Sequence, residues 1–105
     1  MPLYAVTYEH PNEAGWRQHV MPHVVWLQDR LADGSLLASG PCNETATRSA
    51  LLIMRASDRL SLDELIASDP FAVEGLIENM TIRVWDPIFG TFNDQSSMPG
   101  QMQRA

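Results

Sequence analysis

Two side chains able to handle protons anchor the chemical reading of this chain. His23 directly follows Pro22 in a stretch of helical character, and an imidazole takes or gives a proton near neutral pH. Asp69 stands before Pro70 and Phe71, the pattern of a helix N-cap followed by proline at the first helical position. A carboxylate held by backbone N–H groups and a helix dipole stays ionised. Such an anion can hold an imidazole through one ring N–H and leave the other nitrogen to act as general base. Each residue also has a plainer reading: His23 as a partly buried packing or capping group, Asp69 as a cap alone.

Other candidates are weaker. His19 and His23 are four apart, a spacing that can put two metal ligands on one helix face, with His10 and Asp69 as further donors. Pro22 lies between the two histidines and there is no cysteine cluster, so no metal site is expected. Cys42 follows Gly40-Pro41 with no Lys or His nearby to activate it, and reads as an incidental free thiol. Arg83 can pair with a carboxylate or bind an anionic substrate oxygen. Trp26 and Trp85 suit an aromatic pocket wall, or simply core and interface filling. No P-loop, G-x-G-x-x-G or G-x-S-x-G is found, so neither a nucleotide cofactor nor serine-hydrolase chemistry is supported, and no cofactor is expected.

These residues need elements to position them. Leu3 to Glu9 (LYAVTYE) predicts a strand, broken by His10-Pro11-Asn12. Trp16, Val20, Val24, Leu27 and Leu31 form one helical stripe. Pro22 fits the first turn, so the main helix is placed from about Pro22 to Ala32, after a looser turn and before Gly34 as C′ residue. Ser35 to Ser39 predicts a second strand stopped by Gly40-Pro41, and the apolar run Ala50 to Arg55 a buried third. Ser61 and Glu64 read as a capping box for a second helix that turns Leu62, Leu65 and Ile66 inward. A short helix from Asp69 to about Gly75 and a strand from Asn79 to Asp86 complete the order β, α, β, β, α, short α, β. That is the α+β split βαβ, or ferredoxin-like, plan: a four-stranded antiparallel sheet with helices on one face. The domain is placed at 1–92, and 93–105 as a polar tail, loose or used between subunits.

At 105 residues the chain builds one core and no second. One small domain cannot cover both faces of its own sheet, so a homodimer or larger homo-oligomer is expected. Thirteen acidic residues against seven basic ones, all arginine, give a net charge of −6. This balance disfavours nucleic acid and anionic membrane partners. There is no membrane-length apolar run and no signal-peptide pattern, and the single cysteine suits a reducing cytoplasm.

The stretch His23 to Gln28 (HVVWLQ), followed by Leu31, Gly34, Leu36, Leu37 and Gly40-Pro41, resembles the H-x3-L-x(n)-G-x-L-L-x-x-G-P signature of the YciI-like (YCII-related) family. Ser68 to Phe71, then Gly75-Leu76 and the strand Met80 to Trp85, resemble that family's D-P-[FY] block and final strand. The resemblance implies a ferredoxin-like fold pairing into a dimeric α/β barrel, with a His–Asp pair beside the sheet that maps onto His23 and Asp69. Most of that family has no assigned reaction; one characterised relative looks like a dehydrochlorinase of chlorinated hydroxyhydroquinone, and the architecture is similar to muconolactone isomerases. Trp26 within the helix and the tail beyond Phe92 depart from the pattern.

The expected function is therefore cofactor-independent general acid–base catalysis, lyase- or isomerase-like, on a small hydroxylated aromatic or quinone-like molecule. His23 and Asp69 are the catalytic pair, and Trp26, Pro70, Phe71 and Arg83 contact the substrate. The alternative is a small-molecule binding or accessory module without catalysis; a third reading is a purely structural interaction domain, which predicts no pocket.

Overall fold

The computed structural model describes residues 1–101; the last four positions of the expected tail lie outside the described residues. Seven elements carry the fold: β1 (Leu3–Glu9), α1 (Glu13–Asp33), β2 (Leu36–Cys42), β3 (Ser49–Arg55), α2 (Arg59–Ala67), α3 (Pro70–Val73) and β4 (Glu78–Trp85). The four strands form one antiparallel sheet in the order β2-β3-β1-β4. This is the ferredoxin-like α+β fold.

Strand alternation decides which side is covered. Tyr4, Val6 and Tyr8 on β1 align with Met54, Leu52 and Ala50 on β3. Together with Leu36 these residues meet Trp26, Leu62 and Ile66 from the helices in one buried cluster. The opposite sheet face carries Ala5, Thr7, Leu51, Thr81 and Arg83.

The main helix is longer than Pro22 suggests. It begins at Glu13, where the Asn12 side chain accepts from the Gly15 N–H, and runs through Pro22 to Gly34, whose φ of 84° ends it. Pro22 removes one i→i−4 hydrogen bond, but it lies on the exposed side, and the chain on both sides of it is held by packing. Gly15 allows the first turn to approach the segment before β4: a Cβ there would meet Leu76 Cδ2 at 2.5 Å. The expected apolar stripe is also rotated. Leu31 is 52% exposed, and the buried α1 residues are His23 and Trp26.

Two further boundaries differ. β2 continues through Gly40-Pro41 to Cys42, which proline permits because β2 is an edge strand. The α2 cap is Asp58, whose carboxylate accepts from the Ser61 N–H at 2.8 Å, so Ser61 sits inside the helix and not before it. Leu62 and Ile66 point into the core as expected.

Beyond Phe92 the described tail is folded back. Asn93 is buried and bonds to the Ile88 and Met98 carbonyls and the Gly100 N–H. Ser97 bonds to Asp86, Gln95 accepts from Arg55, and Phe92 meets the Trp85 ring edge-on. A few side-chain bonds thus do what apolar content does elsewhere. Among the described residues no helix is long and apolar enough to cross a membrane.

Candidate functional site

A cavity of about 320 Å³ opens where α1, the ends of β1 and β2, the start of β3 and α3 converge. Its walls include Trp16, Val20, Leu27, Ala50 and Phe71, together with two histidines, His10 and His23. This volume is at the small end for ligand pockets.

His23 projects from the middle of α1 and Asp69 caps α3, yet the two meet. His23 Nδ1 lies 2.8 Å from Asp69 Oδ1, with Asp69 1% and His23 8% exposed. The same carboxylate oxygen accepts from the Phe71 N–H at 3.0 Å, so capping the helix and holding the imidazole are one arrangement. A carboxylate only accepts, so Nδ1 of His23 carries the hydrogen and Nε2 is left free of any partner among the described residues. The imidazole stacks on the Phe71 ring at 4.2 Å and 25°.

Among the described residues the second carboxylate oxygen, Asp69 Oδ2, is buried without a hydrogen-bond partner, as is the Tyr8 hydroxyl. Burial first, and then the neighbouring Asp69 charge, raise the Tyr8 phenol far above its ordinary value of 10.0. Tyr8 is therefore a neutral phenol beside the carboxylate, close enough to feel its charge but outside good hydrogen-bond geometry.

His10, at the end of β1, is 3% exposed. Its Nδ1 donates to the Leu76 carbonyl at 3.0 Å, and its ring packs against Tyr8 at 4.9 Å and Phe71 at 4.5 Å. Burial lowers its pKa below the ordinary 6.5, against an opposing push from the Leu76 bond. Arg48 lies over the Trp16 ring at 3.7 Å and pairs with Glu13 at 3.0 Å, closing another part of the wall.

Of the residues singled out in the sequence, His23, Asp69 and Phe71 are brought together. Pro70 starts α3 but does not line the cavity. Trp26 stands behind His23, ring centroids 6.1 Å apart, with its Nε1–H donating to Ser68 Oγ at 2.9 Å; it buttresses the helix and is not a cavity wall. Arg83 is exposed on β4 opposite Ala5, outside the cavity. Trp85 is likewise absent from the cavity lining and packs on Phe92. Cys42 is exposed. His19 faces Glu74 at 3.9 Å, and among the described residues no three His, Cys, Asp or Glu side chains gather as a metal site would require.

Sequence reasoning considered His10 only as a metal ligand and passed over Tyr8, Trp16 and Arg48 as site residues. The alternation of β1 held the missing signal for two of them: extended past Glu9, it puts Tyr4, Val6, Tyr8 and His10 on one face.

A family model described as the YCII-related domain matches residues 1–86. No curated protein sequence gives a significant match. Among solved structures the chain is similar to the 5-chloro-2-hydroxyhydroquinone dehydrochlorinase TftG from Burkholderia phenoliruptrix AC1100, in complex with 2,5-dihydroxybenzoquinone. That match has a TM-score of 0.69 at 17% identity, over 80% of this chain and 93% of that one. Rv0793 from Mycobacterium tuberculosis matches with a TM-score of 0.54 at 14% identity, over 87% of this chain and 99% of that one. An antibiotic biosynthesis monooxygenase matches at 0.52 and 14%, over 80% and 96%. At these identities the structural matches establish a shared fold.

Proposed function

The chain belongs to the YCII-related family, and from that premise we propose that it is a cofactor-independent enzyme working by general acid–base chemistry on a small hydroxylated aromatic molecule. The observation that carries the reading is the 2.8 Å contact between His23 Nδ1 and a buried Asp69 carboxylate at the edge of a ligand-sized cavity. Asp69 fixes the tautomer and stabilises the imidazolium that forms when Nε2 takes a proton.

The probe reaction is loss of HCl from a chlorinated hydroxyhydroquinone, the substrate class in the name of the similar dehydrochlorinase. His23 Nε2 takes a ring-hydroxyl proton, and the electron pair moves into the ring. The chlorine-bearing carbon takes up a proton and becomes tetrahedral. Loss of a second hydroxyl proton then expels chloride and leaves a hydroxyquinone. The net change is one proton and one chloride, so neither oxidant nor reductant is consumed. Phe71 supports the flat face of His23, and the apolar walls suit a planar ring.

The open sheet face belongs to the same proposal. Leu51 is 39% and Trp85 37% exposed there, and a second copy of the chain is the partner that would cover them. Sedimentation of a monomer at micromolar concentration would count against that dimer. A net charge of −6 argues against nucleic acid as a partner, and the exposed Cys42 thiol suits a reducing cytoplasm.

Chloride release from 5-chloro-2-hydroxyhydroquinone, above the rate in buffer, tests the enzymatic reading. Release with formation of a hydroxyquinone supports it. Saturable binding without release supports the accessory-module alternative instead, and absence of both overturns the ligand class.

A further inference from the structure

His10 is a buried imidazole that the His23–Asp69 mechanism does not use. Its surroundings are those of a group held for a purpose. Nδ1–H is committed to the Leu76 carbonyl at 3.0 Å, which stops the ring from turning. Tyr8 and Phe71 pack against it, at 4.9 and 4.5 Å between centroids. Phe71 also carries His23 on its ring at 4.2 Å, so one aromatic side chain braces both histidines. In each histidine Nδ1 is engaged and Nε2 is the nitrogen without a partner among the described residues. Both residues line the same cavity.

Two histidines with uncommitted Nε2 atoms in the wall of one largely apolar cavity constrain its ligand. A desolvated acceptor is costly unless a donor meets it. A carbonyl or ether oxygen offers no hydrogen to Nε2, whereas a hydroxyl does. We propose that His10 is a second ligand-contacting residue, its Nε2 accepting a hydrogen bond from a second hydroxyl of the same planar molecule whose first hydroxyl meets His23. The inference rests on the functional reading above and deepens it: the site selects rings bearing two separated hydroxyls over rings bearing one. Burial disfavours the charged form of His10, as do nearby His23 and Arg48, against the pull of Asp69 and the Leu76 carbonyl. The ring is thereby kept as an acceptor.

The test is calorimetric titration of the protein with phenol and with the three benzenediols. A neutral hydrogen bond contributes about three- to tenfold in affinity, so at least one diol should bind that much more tightly than phenol, beyond the factor of about two for two equivalent hydroxyls. His10→Asn keeps an amide donor near the Leu76 carbonyl but ends short of the Nε2 position. In that variant the diol advantage should fall to the statistical factor while phenol affinity stays within about twofold. A ring-nitrogen NMR spectrum of the unaltered protein gives the same answer without mutation: the diol, and not phenol, should shift His10 Nε2. An undiminished diol advantage in His10→Asn, an unmoved His10 Nε2, or equal affinity of the native protein for phenol and every diol overturns the role of His10 alone. Failure to bind phenol or any diol overturns the functional reading beneath it.

Discussion

Asp69 holds His23 across 46 positions of sequence, through the same oxygen that caps the helix beginning at Pro70. The local and the long-range bond share one acceptor, so neither can be altered alone by removing the side chain. Asp69→Ala leaves a buried imidazole N–H and the Phe71 N–H without a partner. Loss of the cap, which is the bond from the Phe71 N–H, costs about 1 kcal/mol and the stranded imidazole N–H about 1–3 kcal/mol more, so a destabilisation of about 2–4 kcal/mol is expected in urea unfolding. Asp69→Asn, which retains a carbonyl acceptor, should recover more than half of that. Equal losses for the two variants would show that the hydrogen bonds are not what Asp69 contributes.

His10 should leave a signature in stability against pH. Its folded pKa lies below 6.5, chiefly because it is buried. Above that pH it is neutral in both states. As pH falls, the unfolded chain takes up a proton before the folded one, so stability is full above about pH 6.5 and is lost as pH falls toward the folded pKa. Asp33, Asp58 and Asp86 have pKa values lowered from 3.8 by hydrogen bonds to serines, and their stabilising effect is lost only in more acidic solution. Unfolding midpoints should therefore drop between pH 7 and pH 5 in the native protein and flatten in His10→Asn. An unchanged slope would assign the drop to another group.

Pro22 interrupts the hydrogen-bond ladder of α1 from an exposed position. Proline inside a helix costs about 3 kcal/mol, offset by roughly 1 kcal/mol through its restraint of the unfolded chain. Pro22→Ala should therefore stabilise the protein by up to about 2 kcal/mol in thermal or urea unfolding. A loss of stability would mean that the proline ring at position 22 is needed for packing.

The fold was legible because strand alternation and helix boundaries carry its order. LYAVTYE, ALLIMR and the Asp69-Pro70 cap each correspond to a real element. The resemblance to the YCII-related family, carried by the blocks around His23 and Asp69, is matched by the family model over residues 1–86. The length of α1 was not legible, because proline is read as a helix start while the Asn12 cap and the buried His23–Trp26 face hold the helix on both sides of it. The phase of its buried face was missed for a related reason: apolar periodicity favours Val24 and Leu31, whereas the residues most deeply buried are polar-edged ones with specific partners, His23 on Asp69 and Trp26 on Ser68. Arg83 and Trp85 looked suited to a site by residue type, but their register on β4 sets them away from it. His10 was hidden by the turn-forming Pro11-Asn12 that follows it.

The rate of chloride release from 5-chloro-2-hydroxyhydroquinone by the native protein and by His23→Ala most directly tests His23 as the general base. Positioned proton transfer contributes about 10²–10⁴-fold, so the variant should fold normally and lose about that factor in kcat. A folded His23→Ala protein that turns over at the native rate would contradict the account.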